Sequence, residues 1–321
     1  MKVLVVRFAA IGDCVMTAWA VTALRNANPQ AEIVWAVQER CAPVIDTHQL
    51  VNQLHVFPRE RWKSNRWSPA IWREQIIQYT ALRKTRIDVG FDFQGHSKTA
   101  LCLRLSGCRE RFASRATDAL AARLNPPVDL LPQGAHEVER AICLVATKFD
   151  VKLPELPIMP KFTAERKEWR ARLPGDQPIV SIQTGAGETD KLYPADHWVD
   201  VADHLVSSGC RVVAIGGASD PRIATENVID EVGAHSLGQS LALVAESDIH
   251  LSGDTGSAHA AAAYGVPTVT IFGRTDPARF RPYGNKGIVL RDGVETKNVS
   301  PRQVVESAMT LLEDKRVASP H

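Results

Sequence analysis

The sequence predicts an α/β protein of two doubly wound domains, each a parallel sheet with helices on both faces. Three observations carry that prediction. Short continuous apolar runs alternate with helix-length amphipathic stretches, the pattern of βαβ units. The alternation halts in a proline-rich segment near the middle and then restarts. The 321 residues also exceed what one hydrophobic core usually fills, about 250–300 residues.

The first strand is read over residues 3–7, an apolar run closed by Arg7. Gly12-Asp13 turns the chain into a helix over about 15–26, which Pro29 stops. Strands follow at 33–37 and 54–57, and residues 68–86 carry helical periodicity through Ile71, Ile76, Ile77 and Leu82. A strand at 87–93 leads into a helix at about 98–105. Residues 151–160 hold three prolines, which oppose both helix and ladder, so the linker is placed there. The domains are expected at 1–157 and 158–321. In the second, strands are read at 179–182, 211–215, 248–252 and 266–272, and helices at 195–208 and 257–264. A final amphipathic helix, about 301–315, is a candidate to pack back on the N-terminal domain. The expected architecture is two such halves with a cleft between them.

Composition narrows the class. Hydrophobic residues at 45% and charged residues at 23% describe an ordinary globular chain. None of the six cysteines forms a C-x-x-C pair, and the ten histidines are scattered. A zinc or iron site is therefore not expected, and the cysteines read as small buried hydrophobes in a reducing compartment. The N-terminal apolar run is too short for a secretion signal, and no stretch is long enough to span a bilayer. The expectation is a cytoplasmic protein whose membrane contact is peripheral. Residues 1–157 carry 21 Lys and Arg against 15 Asp and Glu, a charge of +6, and the remainder carries 17 against 21. An acidic partner suits the first half, but the asymmetry is too mild for duplex nucleic acid.

Five constellations lie where such sheets bind ligands, beyond the carboxyl ends of strands. Asp13, beside Gly12, reads either as a helix cap or as a carboxylate facing a ligand. The loop 183–191 offers Thr184, Gly185 and Lys191, a mixture suited to phosphate and equally to a plain polar loop. Gly253-Asp254-Thr255-Gly256, followed by His259 on a slim alanine-rich helix, is an anion site at a helix N-terminus. Gln94, His96 and Lys98 gather at the end of the strand at 87–93, where Ser97 would also serve as a cap. Residues 59–67, with Arg61 and Lys63 flanking Trp62, read as a loop suited to lipid phosphates or as solvated surface with packed indoles.

In chain order, Ile11-Gly12-Asp13, Asp92-Phe93-Gln94-Gly95 with Lys98, Asp190-Lys191-Leu192-Tyr193-Pro194 with Trp198, and Gly253-Asp254-Thr255-Gly256 with His259 resemble the ADP-heptose:lipopolysaccharide heptosyltransferases, glycosyltransferase family 9. The resemblance spans essentially the whole chain, and Asp254-Thr255-Gly256 with His259 is its most specific element. It implies a GT-B fold, two Rossmann-like domains facing a central cleft, with the acceptor on the N-terminal domain and the nucleotide-sugar donor on the C-terminal one. It implies an inverting transfer of heptose from ADP-heptose to a lipopolysaccharide inner-core acceptor, with no metal or other cofactor. Asp13 matches the general base and Lys191 the lysine on the donor phosphates. Thr184, Gly185, Gln239, Asp254, Thr255, Gly256 and His259 fall on the donor side. Gln94, His96, Lys98, Arg61 and Lys63 fall on the acceptor side, where the implied partner is an anionic glycolipid at the cytoplasmic face of the inner membrane. Three other readings stay open: a same-fold transferase using another nucleotide sugar or a protein acceptor, a nucleotide-sugar epimerase or hydrolase, and a non-catalytic binder.

Overall fold

The computed structural model describes residues 1–65, 67–128, 134–223, 225–284 and 287–318. The chain divides into two compact units, Met1–Pro160 and Lys161–His321.

In the first unit the elements run β1 (Lys2–Val6), α1 (Ile11–Ala27), β2 (Glu32–Gln38), β3 (Gln53–Phe57), α2 (Arg59–Ser64), α3 (Pro69–Ala81), β4 (Val89–Asp92), α4 (Ser97–Leu105), β5 (Glu110–Ala113), α5 (Ala119–Leu124) and α6 (Glu137–Ala146). The sheet order is β3-β2-β1-β4-β5, and every pairing is parallel. Val3, Leu4, Val5 and Val6 of the central strand are fully buried. A parallel strand covered by helices on both faces needs that continuous apolar run. The chain winds outward from β1 through β2 to β3, then returns to place β4 on the other side of β1. The carboxyl ends of β1 and β4 therefore flank the point where the winding reverses, the place where open α/β sheets bind ligands.

Residues 59–64, expected as loop, form the helix α2. Trp62 is buried in a core cluster with Phe57, Ile71, Tyr79 and Leu82. The indole docks the turn on the domain, and that packing overrides a local sequence with little apolar periodicity. Arg66 of the same stretch lies outside the described residues.

The second unit runs α7 (Thr163–Arg172), β6 (Ile179–Gln183), α8 (Ala195–Ser207), β7 (Arg211–Ile215), β8 (Ile229–Asp230), α9 (Leu237–Glu246), β9 (Ile249–Gly253), α10 (Gly256–Ala263), β10 (Thr268–Ile271), α11 (Pro277–Phe280), β11 (Ile288–Leu290) and α12 (Pro301–Ala318). Its parallel sheet has the order β11-β10-β9-β6-β7-β8. Read from β8, this is the same winding as the first sheet with one more strand. The reversal falls between β6 and β9, so the loops after Gln183 and Gly253 sit at the second switch point. Trp198, Val201, Leu205, Val304 and Ala308 cover one face of this sheet. Trp169, Ala242, Leu243 and Ala261 cover the other. The last helix, α12, packs on α8 and on β9, β10 and β11 of its own unit.

Candidate functional site

In the first unit the switch point holds Asp13 on the opening turn of α1. Its two oxygens take different partners. Oδ1 lies 2.5 Å from Nη2 of Arg7, and Oδ2 accepts the Ala10 N–H at 3.0 Å. Arg7 is 4% exposed, and its other terminal nitrogen donates to the Phe93 carbonyl beyond β4. Burial alone would raise the Asp13 pKa, but the Arg7 guanidinium and the Ala10 N–H outweigh it and hold the carboxyl below its ordinary value. The group is thus a fixed, ionised carboxylate whose side chain keeps 29% of its surface open to solvent. No motif marks Arg7; its signal in the sequence is a lone cation at the end of an otherwise apolar strand, six residues before the acid.

Gln94 braces the same turn. Its Oε1 accepts the backbone N–H groups of Phe8 at 2.9 Å and Ala9 at 3.4 Å. Gly95 adopts φ +71°, and a Cβ there would meet the Arg115 carbonyl oxygen at 2.1 Å, so the turn after β4 requires glycine. His96 stands at the N-terminus of α4, with Nδ1 2.6 Å from the Thr117 hydroxyl. Burial, and then the nearby Arg115, lower its pKa. Gln94, His96 and Lys98 line a cavity of about 340 Å³ together with Gln38, Arg59 and Asp118. Arg61 and Lys63 do not line it. They lie exposed on α2, Arg61 paired with Glu74 and Lys63 3.0 Å from Glu60. Arg59 is the residue of that helix that reaches the cavity.

In the second unit Lys191 ends a short 3-10 turn, Thr189–Lys191, and its Nζ lies 2.8 Å from Oδ2 of Asp254. Burial works against the ammonium, but Asp254 more than compensates and raises its pKa. Gly253 permits this approach: a Cβ there would come within 2.9 Å of the Lys191 carbonyl oxygen. Thr255 occupies the N-cap position of α10 and Gly256 its first turn, while His259 is buried further along the helix. The open N–H groups at that end of the helix favour an anion.

A relay of side chains supports this turn from below. The Thr255 hydroxyl lies 2.9 Å from that of Ser257, which lies 2.9 Å from Nε2 of His250. Nδ1 of His250 lies 2.9 Å from the hydroxyl of Ser181 on the neighbouring strand. Burial drives the His250 pKa down to about 3, so the ring is neutral and offers one donor and one acceptor. The sequence reading singled out neither Ser181 nor His250. Polar residues inside strands buried on both faces were the available signal.

Three predicted donor residues have other partners. Thr184 is buried, and its N–H and hydroxyl both approach the Ile215 carbonyl, at 3.1 and 3.4 Å. The room beside Gly185 holds the Asp220 carboxylate, 1.9 Å from where a Cβ would stand. That carboxylate accepts from the Gly217 N–H at 2.7 Å and the Gln183 amide at 3.2 Å. The Gln239 side chain closes a capping box with Ser236 at the start of α9, a role that its i+3 position explains. On the far side of the Lys191 turn a second cavity of about 640 Å³ is lined by Asp190, Tyr193, Arg274 and Thr296, among others. Arg274, which pairs with Asp190, was also missed from sequence. Among the described residues no group of three or more His, Cys, Asp or Glu is placed to hold a metal ion.

Comparison with known proteins bears on all of this. A family model described as glycosyltransferase family 9 (heptosyltransferase) matches residues 78–309. Lipopolysaccharide heptosyltransferase 1 of Escherichia coli (strain K12) is 26% identical over 322 residues, covering 97% of this chain and 100% of the relative. The protein of the same name from Pseudomonas aeruginosa is 27% identical, covering 90% and 83%. Among solved structures, E. coli heptosyltransferase WaaC with ADP aligns with a TM-score of 0.80 at 26% identity, covering 97% and 100%. E. coli ADP-heptose lps heptosyltransferase II aligns at 0.82 with 23% identity, covering 98% and 100%, and this likeness speaks to fold. The two parallel-sheet units are thus those of a GT-B enzyme. The chain belongs to glycosyltransferase family 9, the heptosyltransferase family, and is a glycosyltransferase.

Proposed function

We propose that the chain transfers heptose from ADP-heptose to an inner-core lipopolysaccharide acceptor with inversion at the anomeric carbon. The donor side rests on Lys191, Asp254, Thr255 and Gly256, with His259 buried behind them. The acceptor side rests on the cavity lined by Arg59, Gln94, His96 and Lys98. The observation that carries the reading is the contact of Lys191 with Asp254 beside the opening of α10, which joins two separately predicted phosphate elements at one place. One relative, E. coli heptosyltransferase WaaC, has been solved with ADP (26% identity) and with ADP-2-deoxy-2-fluoro heptose (25%), which supports an ADP-linked donor.

The reaction would be a direct displacement. An acceptor hydroxyl attacks the anomeric carbon as Asp13 takes its proton, a new glycosidic bond forms, and the bond to the diphosphate breaks. Asp13 is a weak base, so alignment supplies much of the rate; well-oriented groups contribute about 7–11 kcal/mol. Lys191 and the α10 N–H groups would stabilise the charge gathering on the leaving diphosphate, and on this reading no metal is needed. The acceptor is lipid-linked, so the enzyme would work in peripheral contact with the cytoplasmic face of the inner membrane.

The test is a panel of ADP-heptose, UDP-sugars and GDP-sugars against extracted lipid A core, read by product mass with and without a chelator. A mass gain of one heptose with ADP-heptose alone, unchanged by chelator, is expected. Donor consumption at the same rate without acceptor would instead mark a hydrolase or epimerase.

A further inference from the structure

The positive charge of the N-terminal half is concentrated in one place. Residues 59–86 contain eight Lys and Arg against two acidic residues, while the rest of residues 1–157 contains 13 of each. This segment therefore carries the whole excess of +6. Both of its acids are already engaged, Glu60 by Lys63 and Glu74 by Arg61. Its other cations include Arg73 on α3, and Lys84 and Arg86 just beyond it, all exposed.

The helix at the centre of this segment is apolar on two sides. Ile71 packs inward with Trp62 and Tyr79. Trp72, Ile76 and Ile77 are nevertheless 50%, 51% and 54% exposed, and Trp67, just before the helix, is 75% exposed. At 3.6 residues per turn, Trp72, Arg73, Ile76 and Ile77 share an arc of about 140° that points away from Ile71. A surface helix ordinarily turns polar residues outward. This one turns out an indole and two isoleucines, with Arg73 in the same arc and Lys84 and Arg86 exposed just beyond its C-terminal end. Apolar side chains at this density suit the boundary between lipid headgroups and acyl chains, and the arginines and lysines suit lipid phosphates.

We propose that the outward face of α3, together with Trp67, docks the protein on an anionic phospholipid bilayer. This gives a location to the membrane contact proposed above. It is read without donor or acceptor, so its failure and the failure of the transferase reading are separable. A second copy of this chain is the competing occupant, and the charge decides against it. Two like faces of this charge would repel, whereas an anionic bilayer attracts them.

The experiment is flotation of the full chain with vesicles of mixed phosphatidylglycerol and phosphatidylcholine, beside vesicles of phosphatidylcholine alone. The wild type is expected to float with the anionic vesicles and to be released by salt. Ile76→Asp with Ile77→Asp should lower binding at least about tenfold. Arg73→Gln with Lys84→Gln should lower it about fivefold per charge removed. Both variants should keep the wild-type melting temperature, and their turnover on a delipidated acceptor should be unchanged. Equal flotation of wild type and the isoleucine variant, or no preference for anionic vesicles, overturns the proposal. So does sedimentation showing a wild-type dimer that the isoleucine variant dissociates.

Discussion

Asp13 illustrates how much a single neighbour decides. Its carboxylate is ionised because Arg7 and the Ala10 N–H hold it, against the effect of burial. Replacing Asp13 by alanine would strand the buried Arg7 without a counter-ion, which typically costs about 3–5 kcal/mol. Asparagine removes the same counter-ion but keeps the shape and one acceptor, so it is the milder substitution, and its melting temperature should be followed beside its activity. Asp13→Asn is expected to lower turnover by about 10²–10⁴-fold, the usual worth of a general base, with donor affinity retained in calorimetry. Arg7→Gln tests the pairing. In the wild type the acid limb of kcat/KM should lie below the ordinary aspartate range, leaving activity flat through neutrality. Arg7→Gln should move that limb to higher pH while lowering kcat. An unmoved limb with reduced kcat would mean that Asp13 is not the group that titrates.

At the scale of the element, α10 is a helix whose first turn is set from beneath. Thr255 stands at its N-cap position, yet its hydroxyl makes no capping bond and is linked to Ser257 instead. The relay through His250 to Ser181 fixes those hydroxyls from two buried strands. Ser257→Ala removes the middle hydroxyl and both of its bonds with little change in volume and should raise KM for the donor about five- to tenfold, roughly 1–1.5 kcal/mol. Its kcat should stay within about twofold, and a conservative Ser257→Thr should restore affinity. Equal losses in KM and kcat, or no rescue by threonine, would reduce the relay to a packing feature. Most of the long elements were readable because apolar runs and glycine turns repeat with a fixed period, but α6 and α7, ten residues each, were not read. Several of the shortest were not readable either. β5, α5 and β8 are four, six and two residues long, too few to show a period, and they are held by neighbours distant in sequence. The site residues divide in the same way. Asp13, Lys191 and Asp254 stand at turns after strands, where position makes them candidates and the family resemblance selects them. Arg7, Ser181 and His250 become visible only once the winding brings their partners alongside.

At the scale of the whole molecule, Asp92 in the first sheet and His250 in the second are fully buried titratable groups that respond to acid with opposite sign. Asp92 closes β4 fully buried, with Oδ1 accepting from Gln94 and Gly95, and burial raises its pKa to about 6. The unfolded chain would titrate it near 3.9. The folded state therefore holds the proton more tightly, so the first unit gains stability from this group as pH falls from 6 toward 4. The gain is on the order of 2 kcal/mol. His250 behaves in reverse. Its folded pKa is about 3, whereas the unfolded value is about 6.5, so the unfolded chain takes up the proton first. Stability of the second unit is lost below pH 6.5, on the order of 2 kcal/mol by pH 5. Amide exchange followed separately on β1 and β4 and on β6 and β9 should show the two sheets diverging between pH 7 and pH 5, the second becoming the less protected. Asp92→Asn, which keeps an acceptor for both backbone N–H groups, should stabilise the first sheet at pH 7 and leave it unchanged at pH 4. If that variant is no more stable at neutral pH, the buried carboxylate is not the source of the pH-dependent stability of the first sheet.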